Sequence, residues 1–364
     1  MNIRKEYLKI TAPKISGKKT LQKISRTFKN PTVQFILFGA AMIILMFAAT
    51  IIPNMSSLKN EIAQLLVSSV ASIGFCLLLG YSGLASLGTA GFFTVGGFLT
   101  YYGLAQWNVT IVPAILIAGI VSIVLGVIVG FISLRIEGIY LAILTLCLSE
   151  VIVKILRAIK SSGVMINVYA GGDLSFFGIP VTQMVIYVVL AIVLTFLLIV
   201  TANLIKSPTG RAMQAMKSST SAAQAMGISL MKYRLIAFIL ATFFASVAGC
   251  FYIMCVQQID MNNGDIIKLV FSLNVLGAVI IGGAKSLWGT LFGTFFVFSL
   301  QPIVLSRIPF FAENPDISVL VTGVLMIVVC MFFPGGFAEI LLRIRIAILN
   351  GVKKWRVRKY GIEE

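Results

Sequence analysis

Few residues of this chain are of the types that perform catalysis or hold metal ions. The sequence contains no histidine, and only 12 of its 364 residues are acidic. Within the apolar stretches Glu150 is the one carboxylate placed to relay protons, whereas ion-driven transporters normally need carboxylates or a dedicated cation site there. The sequence also lacks a G-x-x-x-x-G-K-[ST] loop, so we expect no nucleotide to bind through a P-loop. These absences argue against an enzyme and against an ion-driven transporter.

The cysteines do not change this interpretation. They lie in apolar stretches and lack the spacing of metal ligands, so we interpret them as packing residues and expect neither a metal nor another cofactor on this chain. The five are Cys76, Cys147, Cys250, Cys255 and Cys330.

Small residues are concentrated in one stretch, Gly80–Gly103, which contains seven glycines together with serine, threonine and alanine. Glycine allows close helix packing in membranes. Such a density of glycine also favours a discontinuous helix whose free backbone groups line a transport pathway, and we favour this second interpretation. A similar glycine-broken stretch, Ile280–Gly293, lies in the other half of the chain. One such segment in each half is typical of transporters built from two structural repeats.

The elements that must position these stretches are membrane helices. Hydrophobic residues make up 59% of the chain and the mean hydropathy is +1.02, which leaves too little polar surface for a water-soluble protein. Segments of bilayer-spanning length predict an all-α polytopic membrane bundle of about ten transmembrane helices, several of them broken by glycine. The predicted spans are 33–52, 62–80, 88–105, 111–133, 139–157, 183–205, 233–256, 267–281, 287–305 and 317–333.

Basic residues set the expected orientation of this bundle. Most of the 29 lysines and arginines lie in the two terminal segments and in Lys206–Arg234, which carries five basic residues and no acid. The positive-inside rule places these parts in the cytoplasm, so we expect both termini there. Membrane orientation also accounts for the net charge of +17 without nucleic acid as a partner.

Three regions follow from this pattern. Residues 1–30 form a basic cytoplasmic tail, with no cleavable signal, that we expect to lie on anionic membrane lipids. Residues 31–336 form the transmembrane domain, with its loop at 206–234, and residues 337–364 form a basic amphipathic segment along the inner leaflet. Within the loop, Ser207 and Pro208 predict the start of a helix and Gly227 predicts its stop.

Several motifs together resemble the permeases of branched-chain amino-acid ABC transporters of the LIV type. The glycine-rich stretch resembles the signature of that family, and Leu134–Val151 resembles the stretch that marks its M-type subunit. Ser207–Gly249 resembles the cytoplasmic loop and the helix after it, while VLGAVIIGGAKSLWGTLFG and FFPGGF resemble late motifs of the family. These motifs cover most of residues 60–345 in the order and spacing of the family.

The resemblance implies a type II-like ABC importer permease of the cell inner or plasma membrane that translocates branched-chain or related amino acids. The implied partners are cytoplasmic ATPase subunits, which bind the ATP, a second permease subunit of the H type, and an extracytoplasmic substrate-binding protein.

The resemblance also implies that the loop carries the helix that docks on an ATPase. The E-A-A-x-x-x-G motif of the family falls on Ser221, Ala222, Ala223 and Gly227, with serine in place of glutamate. The alanines would allow close approach, and Gly227 would let the chain turn. Gly210 and Arg211 complete the expected coupling residues.

We expect the translocation pathway at the two glycine-broken stretches. Backbone and hydroxyl groups there would make only weak polar contacts with an amino-acid zwitterion, so the amino acid would be released quickly. Helix packing stays open as the alternative role of each glycine. The candidates are Ser86, Gly88, Thr89, Gly96 and Gly97 in the first half and Asn274, Gly282 and Gly283 in the second.

Two other functions fit parts of the pattern. Urea, short amides or nucleosides fit the same ABC architecture, because selectivity would reside largely in the binding protein. An ion-coupled secondary transporter belongs to another class, and sodium or proton dependence without an ATP requirement would identify it.

Overall fold

The structure is a computed structural model that describes most of the membrane domain. The predicted tail of residues 1–30 lies outside the described residues, as does the predicted C-terminal segment from residue 340 onward. The described ranges are 31–51, 56–105, 107, 109–133, 135–136, 138–159, 175–176, 179–180, 183–256, 269–308, 310–311, 315–332 and 335–339.

Twelve α-helices follow one another in the described part of the chain. They are α1 (Pro31–Ile51), α2 (Ser56–Phe75), α3 (Thr89–Ala105), α4 (Ile111–Ser133), α5 (Ile139–Ile159), α6 (Gln183–Lys206), α7 (Pro208–Ser218), α8 (Thr220–Ala225), α9 (Leu230–Val256), α10 (Leu269–Gly282), α11 (Leu287–Thr294) and α12 (Pro315–Phe332). Two π-helical segments extend helices in this bundle: Cys76–Ser82 continues α2, and Phe295–Val304 continues α11.

Each predicted span overlaps helical structure in the described residues, which confirms the prediction of a predominantly helical protein. Five helices are long and apolar enough to cross a membrane: Lys59–Ser82, which includes the first π-helical segment, and α4, α5, α6 and α9. Shorter apolar helical stretches lie in α1, in α10, in α11 with part of its π-helical extension, and in α12. One departure from all-α structure is a two-residue antiparallel pair, β1 (Ser175–Phe176) with β2 (Ile179–Pro180).

Helices α2 and α9 form the centre of the bundle, while α4 and α5 expose most of their apolar side chains. Helix α3 packs along α9 in the same direction, because Phe92 lies near Phe238 at its start and Gly97 lies near Ile253 further along. Close backbone approach makes this packing possible. A Cβ added to Gly96 would clash with the backbone of Ser246.

Helices α7 and α8 lie at one end of the bundle, which we call the loop end. The C-terminal end of α6 and the N-terminal end of α9 flank them in the chain. Helix α4 runs antiparallel to α9, since Gly119 lies near Phe243 and Gly130 lies near Leu235. Thr110, which precedes α4, is therefore at the opposite end.

Candidate functional site

The predicted discontinuous helix is present. Helix α2 passes into the π-helical segment Cys76–Ser82, which ends at Gly83 in a left-handed conformation (φ 76°). Glycine adopts this conformation without the steric penalty of other residues. Residues 83–88 are not helical, and α3 begins at Thr89. We call residues 83–88 the broken segment.

The start of α3 lies inside the bundle and not at its surface. The amide of Ala90 donates to the Ser272 hydroxyl across 2.9 Å, and Ser272 lies ten residues before the loop end of α10 at Gly282. With a rise of 1.5 Å per residue, this places the start of α3 about 15 Å from that end. The broken segment therefore re-enters the bundle after the first π-helical segment has ended.

Hydroxyl groups satisfy the backbone that this break leaves unpaired. The Leu87 amide donates to the Thr145 hydroxyl of α5 across 3.0 Å, and the Gly88 amide donates to the Ser86 hydroxyl across 3.3 Å. In an apolar interior each unsatisfied backbone group would cost several kcal/mol. Polar side chains from α5 and α10 thus make a non-helical segment possible at this depth.

A small cavity of about 10 Å³ borders the break. Ser86, Gly88 and Thr89 line it on one side. A volume of this size holds about one water molecule, so this conformation is closed to an amino acid. The cavity wall is completed by Ala71, Phe75 and Leu78 of the α2 region, by Phe92 of α3, and by Phe238, Ala241, Thr242 and Ala245 of α9.

The other candidate pathway residues lie elsewhere. Gly96 and Gly97 are buried between α3 and α9, where a Cβ on either would clash with α9, so helix packing accounts for them. Asn274 is half-buried on α10. Gly282 packs on the backbone of α11, and Gly283 (φ 96°) packs against Gly335 and Ala338. The eight candidates therefore do not form one surface in this conformation.

The two glycine-broken stretches nevertheless meet at the loop end. The Cys76 thiol donates to the carbonyl of Ala284 across 3.3 Å, and the Tyr81 hydroxyl donates to the carbonyl of Lys285 across 2.8 Å. A Cβ on Gly80 would clash with the Ala284 carbonyl. We call this contact between residues 76–83 and 282–286 the junction. Sequence reasoning missed Tyr81, although a polar aromatic residue within a glycine-rich apolar stretch is a usable signal.

The helix start and stop predicted at the loop end are confirmed, but there are two helices instead of one. The Ser207 hydroxyl accepts from the Gly210 amide across 3.3 Å, and Pro208 occupies the first turn of α7. Ser219 interrupts the helix and caps α8 through the Ala222 amide at 3.3 Å. Serine competes for backbone hydrogen bonds and is therefore favoured at such breaks.

Helix α8 ends in a Schellman motif. Gly227 has φ 79°, its amide donates to the Gln224 carbonyl at 2.9 Å, and the Ile228 amide donates to the Ala223 carbonyl at 3.0 Å. This is the hydrogen-bond pattern that places glycine after a helix C-terminus. A Cβ on Gly227 would meet no atom within 4 Å, so the backbone conformation alone requires glycine here.

The expected coupling residues divide between two faces of α7 and α8. Gly210 and Ala223 are buried, and a Cβ on Gly210 would clash with the backbone at the end of α6. Arg211, Ser221 and Ala222 are exposed. Met226, which follows α8, is the most exposed of the large hydrophobic residues that the structure describes, with 83% of its surface accessible, and sequence reasoning missed this residue. The exposed tip of α8, by which we mean Ser221, Ala222 and the following Met226, thus combines two small side chains with one large apolar side chain, whereas Gly210 and Ala223 pack within the chain.

Comparisons with known proteins match most of the chain. The model of a family described as "Branched-chain amino acid transport system / permease component" matches residues 57–330. The permease protein LivM of the high-affinity branched-chain amino acid transport system of Escherichia coli is 26% identical over 354 residues, covering 89% of this chain and 79% of that protein. LivM of Salmonella typhimurium is 26% identical over 336 residues, covering 84% and 75%. No solved structure matches the chain.

Proposed function

Because the chain belongs to the family of permease components of branched-chain amino acid transport systems, we propose that branched-chain amino acids pass it along the broken segment. It is a membrane permease subunit of an ABC importer and not itself an enzyme. The observation that carries the proposal is the depth of the break. The start of α3, which hydroxyl groups surround, lies about 15 Å inside the bundle from the loop end of α10.

The family implies an importer with ATPase subunits and a binding protein. We infer further that a second, H-type permease subunit completes the membrane part and that ATP binds only to the ATPases. The loop end and both termini would be cytoplasmic, in the cell inner or plasma membrane, because the basic residues of 206–234 lie at that end. A type II-like bundle of about ten spans would then need α1, α3, α10, α11 with its π-helical extension, and α12 to cross the membrane beside the five longer helices.

The exposed tip of α8 is the proposed docking surface for an ATPase. Ser221 and Ala222 have small side chains that allow close approach, and Met226 offers an apolar side chain that can adapt to a cleft. Arg211 on α7 is also exposed and adds a positive charge to this region of the chain. Because glutamate of the family motif is replaced by Ser221, no carboxylate is available for a salt bridge at that position.

The proposed pathway must open from the closed conformation. Ser86, Gly88 and Thr89 already border a cavity against α9, so a displacement of the broken segment from α9 would enlarge this cavity. Hydroxyl and amide groups would then contact the charged ends of the amino acid weakly. We expect the pathway to be closed to cargo at rest, before the ATPase subunits come together.

Uptake by proteoliposomes that contain the complete importer tests this function. Labelled leucine would be offered with the binding protein, with ATP supplied or withheld on the ATPase side, and with urea and a nucleoside as alternative cargo. We expect ATP-dependent entry of leucine. Entry of another cargo would retain the ABC mechanism and discard the amino acid, whereas leucine entry that follows an ion gradient and ignores ATP would overturn the proposal.

A further inference from the structure

One lysine connects the loop end to the break. The ammonium of Lys217, in the last turn of α7, donates to the carbonyl of Leu79 across 3.0 Å and to that of Gly80 across 2.8 Å. These carbonyls belong to the first π-helical segment, directly before the broken segment. The two partners lie 138 and 137 residues away in the chain, so this is a tertiary contact between the coupling region and the proposed pathway.

The chemistry of this contact suits the end of a helix. The last carbonyls of a helix lack partners within it, and the helix dipole makes them an attractive site for a cation. An ammonium has three donors and can serve both carbonyls at once. Burial lowers the pKa of Lys217, the charge of Lys285 lowers it further, and Cys76 acts in the opposite direction. Although much of the Lys217 side chain is exposed, its ammonium is thus partly desolvated at the contact.

The stem of Lys217 is also held in place. Its Cγ lies 3.2 Å from the position that a Cβ would occupy on Gly83, the left-handed residue at the end of the π-helical segment. On the buried face of α7, Met213 and Met216 belong to one apolar cluster with Leu77 and Leu84. Helix α7 therefore contacts the start of the break through both an apolar face and two charged hydrogen bonds.

The same carbonyl segment reaches the second half of the chain. Gly80 packs on the Ala284 carbonyl, and Tyr81 donates to Lys285. Residues 79–83 therefore contact the second glycine-broken stretch, and Lys217 makes a polar contact from α7 to the same residues.

We propose that Lys217 is a positioning residue that ties α7 to the junction, so that movement of an ATPase docked on α8, passed to α7 through the shared cap residue Ser219, displaces the broken segment and opens the pathway. This inference rests on the proposed function, because it assigns Lys217 the transmission step between docking and opening. Lys217 contacts neither cargo nor nucleotide in this role.

The test compares variants of the complete importer in proteoliposomes. Lys217→Met removes the donors and retains most of the stem, whereas Lys217→Arg retains donors and charge and Lys217→Gln retains neutral donors. Lys206→Met is the matched control, because Lys206 is exposed at the end of α6. Leucine uptake and ATP hydrolysis are measured in the same vesicles, together with co-purification of the ATPases.

We expect Lys217→Met to bind the ATPases and hydrolyse ATP, while the leucine delivered per ATP falls about ten-fold or more, because two charged hydrogen bonds are lost. Lys217→Arg should stay near wild type, Lys217→Gln should be intermediate, and Lys206→Met should be unchanged. A purely structural role would lower uptake and hydrolysis together, and that result would overturn the inference.

Three further outcomes are decisive. If Lys217→Met does not assemble with the ATPases, the Lys217→Arg and Lys217→Gln variants provide the test. Equal leucine uptake per ATP hydrolysed in the wild type and in both of these variants would contradict a role for the charged contact. If the wild type does not import leucine with ATP, the proposed function fails first. If the wild type imports leucine and Lys217→Met does so with the same yield per ATP, only the role of Lys217 is refuted.

Discussion

The Tyr81 hydroxyl donates a hydrogen bond of 2.8 Å to the backbone carbonyl of Lys285, joining residues 204 positions apart in the chain. Tyr81 is the penultimate residue of the first π-helical segment, close to the broken segment, and Lys285 lies in the turn between α10 and α11. The two glycine-broken stretches, one in each half of the chain, are thus joined by a side chain at the loop end. A change on either side of this junction should affect the other.

Removal of this hydroxyl should weaken the junction. Tyr81→Phe leaves the Lys285 carbonyl without this partner and should lower the free energy of unfolding by about 1 kcal/mol, the net value of a typical hydrogen bond. The thermal unfolding midpoint of the purified chain in detergent measures the effect. Tyr140→Phe is the control, because Tyr140 is 74% exposed. Equal midpoints for the two variants would show that the Tyr81 contact does not stabilise the fold.

The helix-packing role of Gly96 leads to a second prediction. A Cβ at this position would clash with the backbone of Ser246 on α9, so Gly96→Ala should force α3 and α9 apart. Overpacking of this kind costs about 1–3 kcal/mol, and the purified variant should unfold at a lower temperature. Gly323→Ala is the matched control, because Gly323 is also helical and a Cβ there would meet no atom within 4 Å. A Gly96→Ala midpoint as high as that of Gly323→Ala would contradict close packing.

Local features of this chain could be predicted from sequence, whereas contacts between distant residues could not. Ser207 and Pro208 mark the start of α7 and Gly227 marks the end of α8, because capping depends on adjacent residues. The density of glycine likewise predicted the break before Thr89. The partner of the Leu87 amide, Thr145, lies 58 residues away, and no pattern in a single sequence fixes which face of α5 meets the broken segment.

The same limit explains why the sequence alone does not distinguish glycines that pack helices together from glycines that we propose to line the pathway. Gly88 and Gly96 occupy similar sequence surroundings, but Gly88 borders the cavity and Gly96 contacts α9. Their roles depend on the relative position of α3 and α9, which a composition argument does not contain. Ala222 and Ala223 likewise belong to one sequence motif, although Ala222 is exposed and Ala223 is buried.

The docking surface on α8 can be separated from its internal packing with these two alanines. Ala222 is exposed and Ala223 is buried, so Ala222→Trp should leave the fold intact and prevent the ATPase from approaching. We expect loss of ATPase co-purification and of ATP-dependent leucine uptake, with the unfolding midpoint unchanged. Thr110→Trp, an exposed position at the opposite end of the bundle, should retain both. Normal ATPase binding by Ala222→Trp would place the docking surface elsewhere, whereas Ala223→Trp should lower the unfolding midpoint.

Gly88 gives the most direct test of the pathway, because added volume there should block passage without unfolding the bundle. A Cβ on Gly88 would lie 3.4 Å from both the Ser86 hydroxyl and the Thr145 carbonyl, so Gly88→Ala should fit with shifts of a few tenths of an ångström. Gly88→Leu adds more volume than the cavity of about 10 Å³ contains. It should reduce leucine uptake about ten-fold or more, as expected for overpacking of ~1–3 kcal/mol along the opening route.

The decisive comparison for Gly88 is between uptake and assembly. Gly88→Leu should still bind the ATPases and hydrolyse ATP, since the docking surface on α8 is unchanged, and Gly88→Ala should import leucine at a rate close to wild type. Gly323→Leu controls for the size of the new side chain at a helical position with free space. If Gly88→Leu imports leucine as fast as Gly88→Ala, the cargo does not pass the broken segment. In that case the hydroxyl groups around the start of α3 serve only to satisfy a backbone break.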